Sequence, residues 1–198
     1  MMRQLKLFLA VIAVAMVPLI SVNAWALDAA SVPAKKQTTA KLYLGAEEVT
    51  DFMASKKDKA IFIDVRSRAE LMFVGNTPAM TANIPYKLYS TKKFNDKKGK
   101  FVLEANPNFV AQVEKLVKAK SLTKDDPVIL MCRSGGRSAK AANALTKAGF
   151  KKVYSVVDGF EGDKAKEGPN KGQRVVNGWK NKKQPWGYKL EKSKLMLQ

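Results

Sequence analysis

The sequence has no histidine and a single cysteine, Cys132. The first absence excludes Ser-His triads, Cys-His hydrolases and imidazole-based metal sites. The second excludes an internal disulfide, so Cys132 is either an inert buried thiol or a working one. Acidic residues are also scarce, with 17 Asp and Glu against 36 Lys and Arg and a formal charge of +19. Such an excess attracts nucleic acid in a cytosolic protein. Here the lysines come as scattered pairs, Lys35-Lys36, Lys92-Lys93 and Lys97-Lys98 among them. They lack the aromatic interleaving that a stacking platform requires. They read as solvated basic surface, or more sharply as a face for an acidic protein partner or an anionic membrane. No nucleic-acid partner is expected.

A long apolar run is missing as well. The stretch from Leu7 to Ile20 falls short of the roughly 20 residues that span a bilayer. It follows the basic "MMRQLK" and precedes "AWA" at Ala24–Ala26. That order is the signature of a secretory signal peptide over residues 1–26; a membrane anchor is the alternative. Export implies a periplasmic or secreted protein, cleaved near Ala26, with no stable membrane insertion afterwards. Losing Arg3 and Lys6 would bring the charge from +19 to +17.

What remains has 46% apolar residues, enough for one domain with a real core. Residues 27–40 are small and polar and read as a flexible leader. Val49, Phe52 and Met53 recur at helical spacing. "AIFIDVR" is a buried strand. "SRAELMF" is a short helix opened by Ser67, with Glu70 three residues on as in a capping box. "NIPY" is a short extended piece, and residues 87–106 a basic, lysine-rich connection. "NPNFVAQVEKLVKAK" predicts a helix with Pro107 in its first turn. "DDPVILMC" predicts a strand, "GRSAKAANALTKAGF" a helix stopped by Gly149, and "KVYSVV" another strand. Strands alternating with helices imply an α/β fold, a mainly parallel sheet with helices on both faces. Ligands bind such sheets at the carboxyl ends of strands.

Cys132 stands at one of those ends, in "CRSGGRS". A glycine-rich strand-to-helix turn aims backbone N–H groups at one point, and the helix dipole adds to them. Arg133 and Arg137 strengthen the positive field. Thiols in such settings ionise more readily than free ones and become nucleophiles. The loop therefore reads as a nucleophile beside a cradle for an anionic substrate.

"CRSGGRS", with "IFIDVRSRAE" before it and "VYSVVDGF" after it, resembles the rhodanese (sulfurtransferase) family over residues 41–187. The resemblance implies a catalytic Cys132 that takes sulfane sulfur from an anionic donor such as thiosulfate. The resulting persulfide passes the sulfur to a thiophilic acceptor. Arg133, Ser134, Gly135, Gly136, Arg137 and Ser138 match the substrate-binding loop, and Arg137 its closing arginine. Asp64 and Arg66 match the family's "DVR" as mostly architectural groups; Asp64 caps the next turn and Arg66 pairs with a carboxylate inside. Glu70 matches a position near the pocket mouth. No metal and no organic cofactor are implied.

The C-x4-R spacing from Cys132 to Arg137 is similar to that of sulfurtransferases. Phosphatases and arsenate reductases of the same fold use C-x5-R, which makes those activities the weaker alternatives. A docking module for a periplasmic partner, with little turnover, is the other. The sequence departs from the family in two places. "GNTPAMTANIP" puts Asn76 where a histidine is usual. The closing pattern is split between "DGF" and "NGWKNKKQPW" by residues 161–176, read as a flexible surface loop, a lip over the site or a docking element. Residues 188–198 are expected to form a tail.

Overall fold

The computed structural model describes residues 27–196; the expected signal peptide lies outside them. Along the chain run β1 (Tyr43–Leu44), α1 (Val49–Ser55), β2 (Ile61–Asp64), α2 (Arg68–Val74), β3 (Ala82–Asn83), β4 (Lys87–Asn95), β5 (Lys100–Ala105), α3 (Phe109–Ala119), β6 (Val128–Met131), α4 (Gly136–Lys147) and β7 (Val153–Val156). Five strands form one sheet in the order β1-β7-β6-β2-β3, parallel throughout. Every residue of β2 and β6 is buried, because helices cover both faces of the sheet. Strand alternation sorts the core into two layers. Ile61, Ile63, Val128 and Leu130 face Phe109, Val113 and Leu145. Phe62, Ile129 and Met131 face Phe52, Leu71 and Trp179. The expected α/β architecture is present. Asp64 stands beside Met131 in the parallel register, so the carboxyl ends of β2 and β6 lie together. No helix among the described residues is long and apolar enough to cross a membrane.

Local signals explain most boundaries. The Ser67 hydroxyl accepts from the Glu70 N–H, and the Glu70 carboxylate accepts from the Ser67 N–H, a complete capping box. Gly149 adopts φ +92° just beyond α4. Pro107 falls outside α3, whose N-cap is Asn108.

Three segments differ from expectation, and a fourth, residues 161–176, is mostly exposed and closed on itself. Residues 87–106 are not an irregular connection: β4 and β5 pair as an antiparallel hairpin turned at Gly99. Aromatic and aliphatic residues between the lysines supply its strand character. Residues 27–40 are not a free leader. Val32, Lys36 and Thr38 are buried. The Thr39 N–H donates to Asn143 Oδ1 of α4 at 2.8 Å, and Lys36 Nζ reaches Asp163 at 2.6 Å. Residues 161–176 form a closed loop, pinned by Arg174 donating to the Gly162 carbonyl and by bridges at Lys164–Arg174 and Ala165–Lys171. The tail beyond 187 returns to the body. Leu190 and Leu195 pack on one core layer and Met196 on the other.

The split closing pattern is rejoined in space. The Trp179 N–H donates to the Gly159 carbonyl at 2.8 Å and the Lys180 N–H to the Phe160 carbonyl at 3.0 Å. Trp179 is fully buried, with its ring 5.6 Å from that of Phe62. Asp158 ties the junction, accepting from the Ala46 N–H at 2.9 Å and the Gly178 N–H at 3.2 Å. Burial pushes its carboxyl up to about 6, aided by the nearby Glu47 charge and opposed by these N–H groups.

Two predictions follow the chemistry of these contacts. The folded state holds the Asp158 proton more tightly than the unfolded chain does. Its contribution to stability is full below the ordinary carboxylate range and is lost as pH rises through about 6. Urea titrations of wild type and Asp158→Asn should therefore diverge between pH 4 and 7 by up to roughly 3 kcal/mol. A pH-independent difference would contradict the assignment. Lys36 should matter through its stem more than its charge, since Asp163 is partly solvated. Lys36→Ala is expected to lose about 1–2 kcal/mol and Lys36→Met roughly 0.5 kcal/mol or less. Equal losses in the two variants would show that the ion pair dominates.

Candidate active site

The site is built where β6 ends. Cys132 follows its last residue and is 2% exposed. The chain then turns through Arg133–Gly135 into α4. The turn is held from outside by the segment after Asp158. The Cys132 carbonyl accepts from the Phe160 N–H at 2.8 Å. The Arg133 carbonyl accepts from the N–H groups of Glu161 at 2.9 Å and Gly162 at 3.2 Å. With these carbonyls bound on the outer side, the peptide planes direct N–H groups into the loop. None of the N–H groups from Arg133 to Arg137 donates to an acceptor among the described residues. They are free to receive an anion, together with the positive end of α4.

Two glycines permit this packing. Gly135 has φ +88°, and a Cβ there would stand 2.2 Å from the Val157 carbonyl oxygen. Gly159 has φ +68°, and a Cβ there would stand 2.6 Å from both the Cys132 oxygen and the Ser134 nitrogen. The second contact lets the 158–160 turn seat directly on the loop backbone.

Ser138 lies under the thiol. Its Oγ is 3.7 Å from Cys132 Sγ and 2.8 Å from the Gly135 carbonyl oxygen, and it is 3.1 Å from Ser155 Oγ. Arg137 turns toward α2, where its guanidinium clamps the Glu70 carboxylate through Nη1–Oε2 at 2.7 Å and through Nη2–Oε1. Burial works against the Glu70 charge. Arg137 and the Ser67 groups outweigh it and hold the carboxyl below its usual range. Burial likewise opposes the Arg137 charge, and Glu70 overcomes it, raising the guanidinium further.

Asp64 and Arg66 do not reach this cleft. They form a fully buried pair, with Arg66 Nη2 to Asp64 Oδ2 at 2.7 Å and the Arg66 N–H capped by Asp64 Oδ1 at 2.9 Å. The guanidinium lies 3.8 Å from the centre of the Phe160 ring, so the pair braces the segment that holds the loop. Asn76, in place of the usual histidine, bonds the returning tail through the Gly187 and Lys189 carbonyls.

Above the thiol opens a cleft of about 480 Å³. Lys35, Lys36, Lys87, Arg133, Arg137 and Lys140 line it with one acid, Asp163. Four of these residues escape sequence reasoning: Lys35 and Lys36, which read as leader, Lys87 of the hairpin, and Asp163 of the inserted loop. Lys140 had a legible signal. It lies four residues after Gly136, on the same face of α4. Among the described residues, no cluster of His, Cys, Asp and Glu could hold a metal ion.

Comparison with known proteins fits this geometry. The sequence model of the Rhodanese-like domain matches residues 45–166. An uncharacterized protein of Rickettsia conorii is 30% identical over 138 residues, covering 69% of this chain and 89% of that one. Thiosulfate sulfurtransferase 18 of Arabidopsis thaliana is 32% identical over 120 residues, 58% of this chain and 78% of its own. A crystal structure of a protein from M. tuberculosis superposes with a TM-score of 0.54 at 27% identity, covering 74% of this chain and 97% of that one. The chain belongs to the rhodanese-like domain family.

Proposed function

We propose that the protein is an exported sulfurtransferase, periplasmic or secreted, that moves sulfane sulfur from a small anionic donor to a thiophilic acceptor through a persulfide on Cys132. The observation that carries this reading is the concave set of unpaired backbone N–H groups around a nearly buried thiol. Its similarity to a relative named thiosulfate sulfurtransferase supports it. So does the C-x4-R spacing, one residue shorter than in phosphatases of the same fold.

In this mechanism an anion such as thiosulfate enters the cationic cleft. The Cys132 thiolate attacks the outer sulfur. A new S–S bond forms as the bond between the two donor sulfurs breaks, and sulfite leaves with that electron pair. The terminal sulfur, now anionic, sits among the loop N–H groups. Hydrogen bonds to a charged group contribute about 1.5–3 kcal/mol each. They are preorganised, so they act without rearrangement at the moment of reaction. Ser138 buttresses Cys132 and the Gly135 carbonyl from below. An acceptor thiolate or cyanide then removes the outer sulfur and regenerates Cys132. No second cysteine is available to resolve the persulfide within the chain.

The persulfide should therefore persist until an external nucleophile arrives. After thiosulfate treatment and desalting, intact mass should show a gain of one sulfur atom that cyanide reverses. Cys132→Ser should show neither change. If no sulfane donor ever loads the wild-type protein, sulfur transfer is wrong and a docking module takes its place.

Arg137→Ala should lower kcat/KM for thiosulfate by about 10- to 100-fold, because it removes the clamp on Glu70 beside the cleft together with part of a charge. Wild type should not turn over p-nitrophenyl phosphate. Undiminished thiosulfate turnover in the variant would remove Arg137 from the site, and phosphatase turnover would reassign the reaction.

A further inference from the structure

The hairpin β4–β5 stands apart from the main sheet and carries large side chains in the open. Tyr89, Phe94 and Phe101 are 46%, 51% and 55% exposed, and Phe73 of α2 is 76% exposed. Phe73, Tyr89 and Phe101 border one shallow depression beside Glu70. Tyr89 and Phe101 also border a recess that contains Arg133 and Arg137. Tyr89 and Phe101 thus link the aromatic depression to a charged recess at the mouth of the thiol site. Lys98 and Lys100 line that recess, and Lys92, Lys93 and Lys97 are exposed lysines of the same hairpin. Of these only Lys93 has an ion-pair partner among the described residues, Glu104 at 2.7 Å.

Exposed aromatics in a contiguous patch mark a place where another macromolecule is seated. A shallow apolar centre with a charged rim has the anatomy of a protein interface, with the aromatics as anchors. The rim is cationic, so the complementary surface is acidic. We infer that the hairpin and α2 dock an acidic protein that presents apolar side chains around a cysteine, and that this cysteine is the sulfur acceptor. The docking surface stands on its own; the acceptor role rests on the sulfur-transfer reading. In that step the acceptor thiolate attacks the outer sulfur of the Cys132 persulfide. The S–S bond to Cys132 breaks, its electron pair stays on Cys132, and the acceptor leaves as a persulfide with no net oxidation. Docking beside the mouth would bring the acceptor to a thiol that is almost closed to bulk solvent.

The test separates docking from transfer. Full-chain Cys132→Ser, which cannot carry sulfur, is titrated by fluorescence anisotropy with a labelled peptide rich in Glu and Phe around one cysteine. A matched peptide with Gln for Glu is the control. The acidic peptide should bind at least about tenfold more tightly, and high salt should weaken it. The triple change Phe73→Ser, Tyr89→Ser and Phe101→Ser should abolish that preference, and the same triple change in a chain that keeps Cys132 should leave thiosulfate loading unchanged. Lys97→Gln with Lys98→Gln should weaken binding without touching the aromatics. Equal affinity for the two peptides, or full affinity in both variants, would overturn the docking surface. Binding of vesicles of phosphatidylcholine and phosphatidylglycerol, lost in the triple variant and unaccompanied by peptide preference, would overturn it in favour of a membrane face. Persulfide-loaded wild type should lose its sulfur to the acidic cysteine peptide about tenfold faster than to free cysteine. Tight binding without that acceleration would overturn the acceptor role alone.

Discussion

The site depends on three backbone hydrogen bonds outside it. Phe160, Glu161 and Gly162 bind the carbonyls of Cys132 and Arg133. A peptide unit cannot turn its carbonyl one way without turning its N–H roughly the other. Fixing two carbonyls outward therefore directs the loop's N–H groups inward, toward the thiol. Helix α4 alone would offer only its first turn. The clasp extends the donor set back to the end of β6, which makes a concavity of a helix terminus.

That clasp is in turn supported from behind. Phe160 rests on the Arg66 guanidinium, and Arg66 is held by Asp64 at the end of β2. Asp158 fixes the near side of the turn and Trp179 the far side. A fully buried ion pair is weak evidence for net stability, since desolvation offsets much of its attraction. Its worth here is positional. The pair has fixed geometry, and it places an aromatic ring and thereby the peptide that clasps the loop. A residue with no atom in the cleft can thus govern the chemistry within it.

The parallel sheet, its three apolar strands and the loop are legible because each is a local pattern. β2, β6 and β7 announce themselves as apolar runs, and Ser67 with Glu70 is a four-residue signal. What was hidden depends on pairing at a distance. β1 has two residues, too few for any periodicity. The hairpin hid behind its lysines, which mask the aromatic residues between them. Lys36 looked like part of a polar leader because nothing in residues 27–40 reveals that Asp163, 127 positions later, receives its ammonium group. Along the sequence the closing pattern is interrupted by residues 161–176. In three dimensions Gly159 and Trp179 are bonded neighbours, and the intervening loop leaves that contact intact.

The charges around the cleft are not equivalent. Arg137 is committed to Glu70 and Lys36 to Asp163, so each presents much less than a full charge to an incoming anion. Lys87, Arg133 and Lys140 carry no such partner among the described residues and line the cleft opening. Exposed charges of this kind act over about a Debye length, roughly 8–10 Å, and salt screens them. They raise the local concentration of anions and speed encounter. The loop N–H groups differ in each respect: they are rigid, close to the thiol and sheltered from bulk ions. Capture and chemistry are thereby assigned to different groups. Salt should erode the lysines' part first, while the N–H cradle keeps its hold on sulfur once bound.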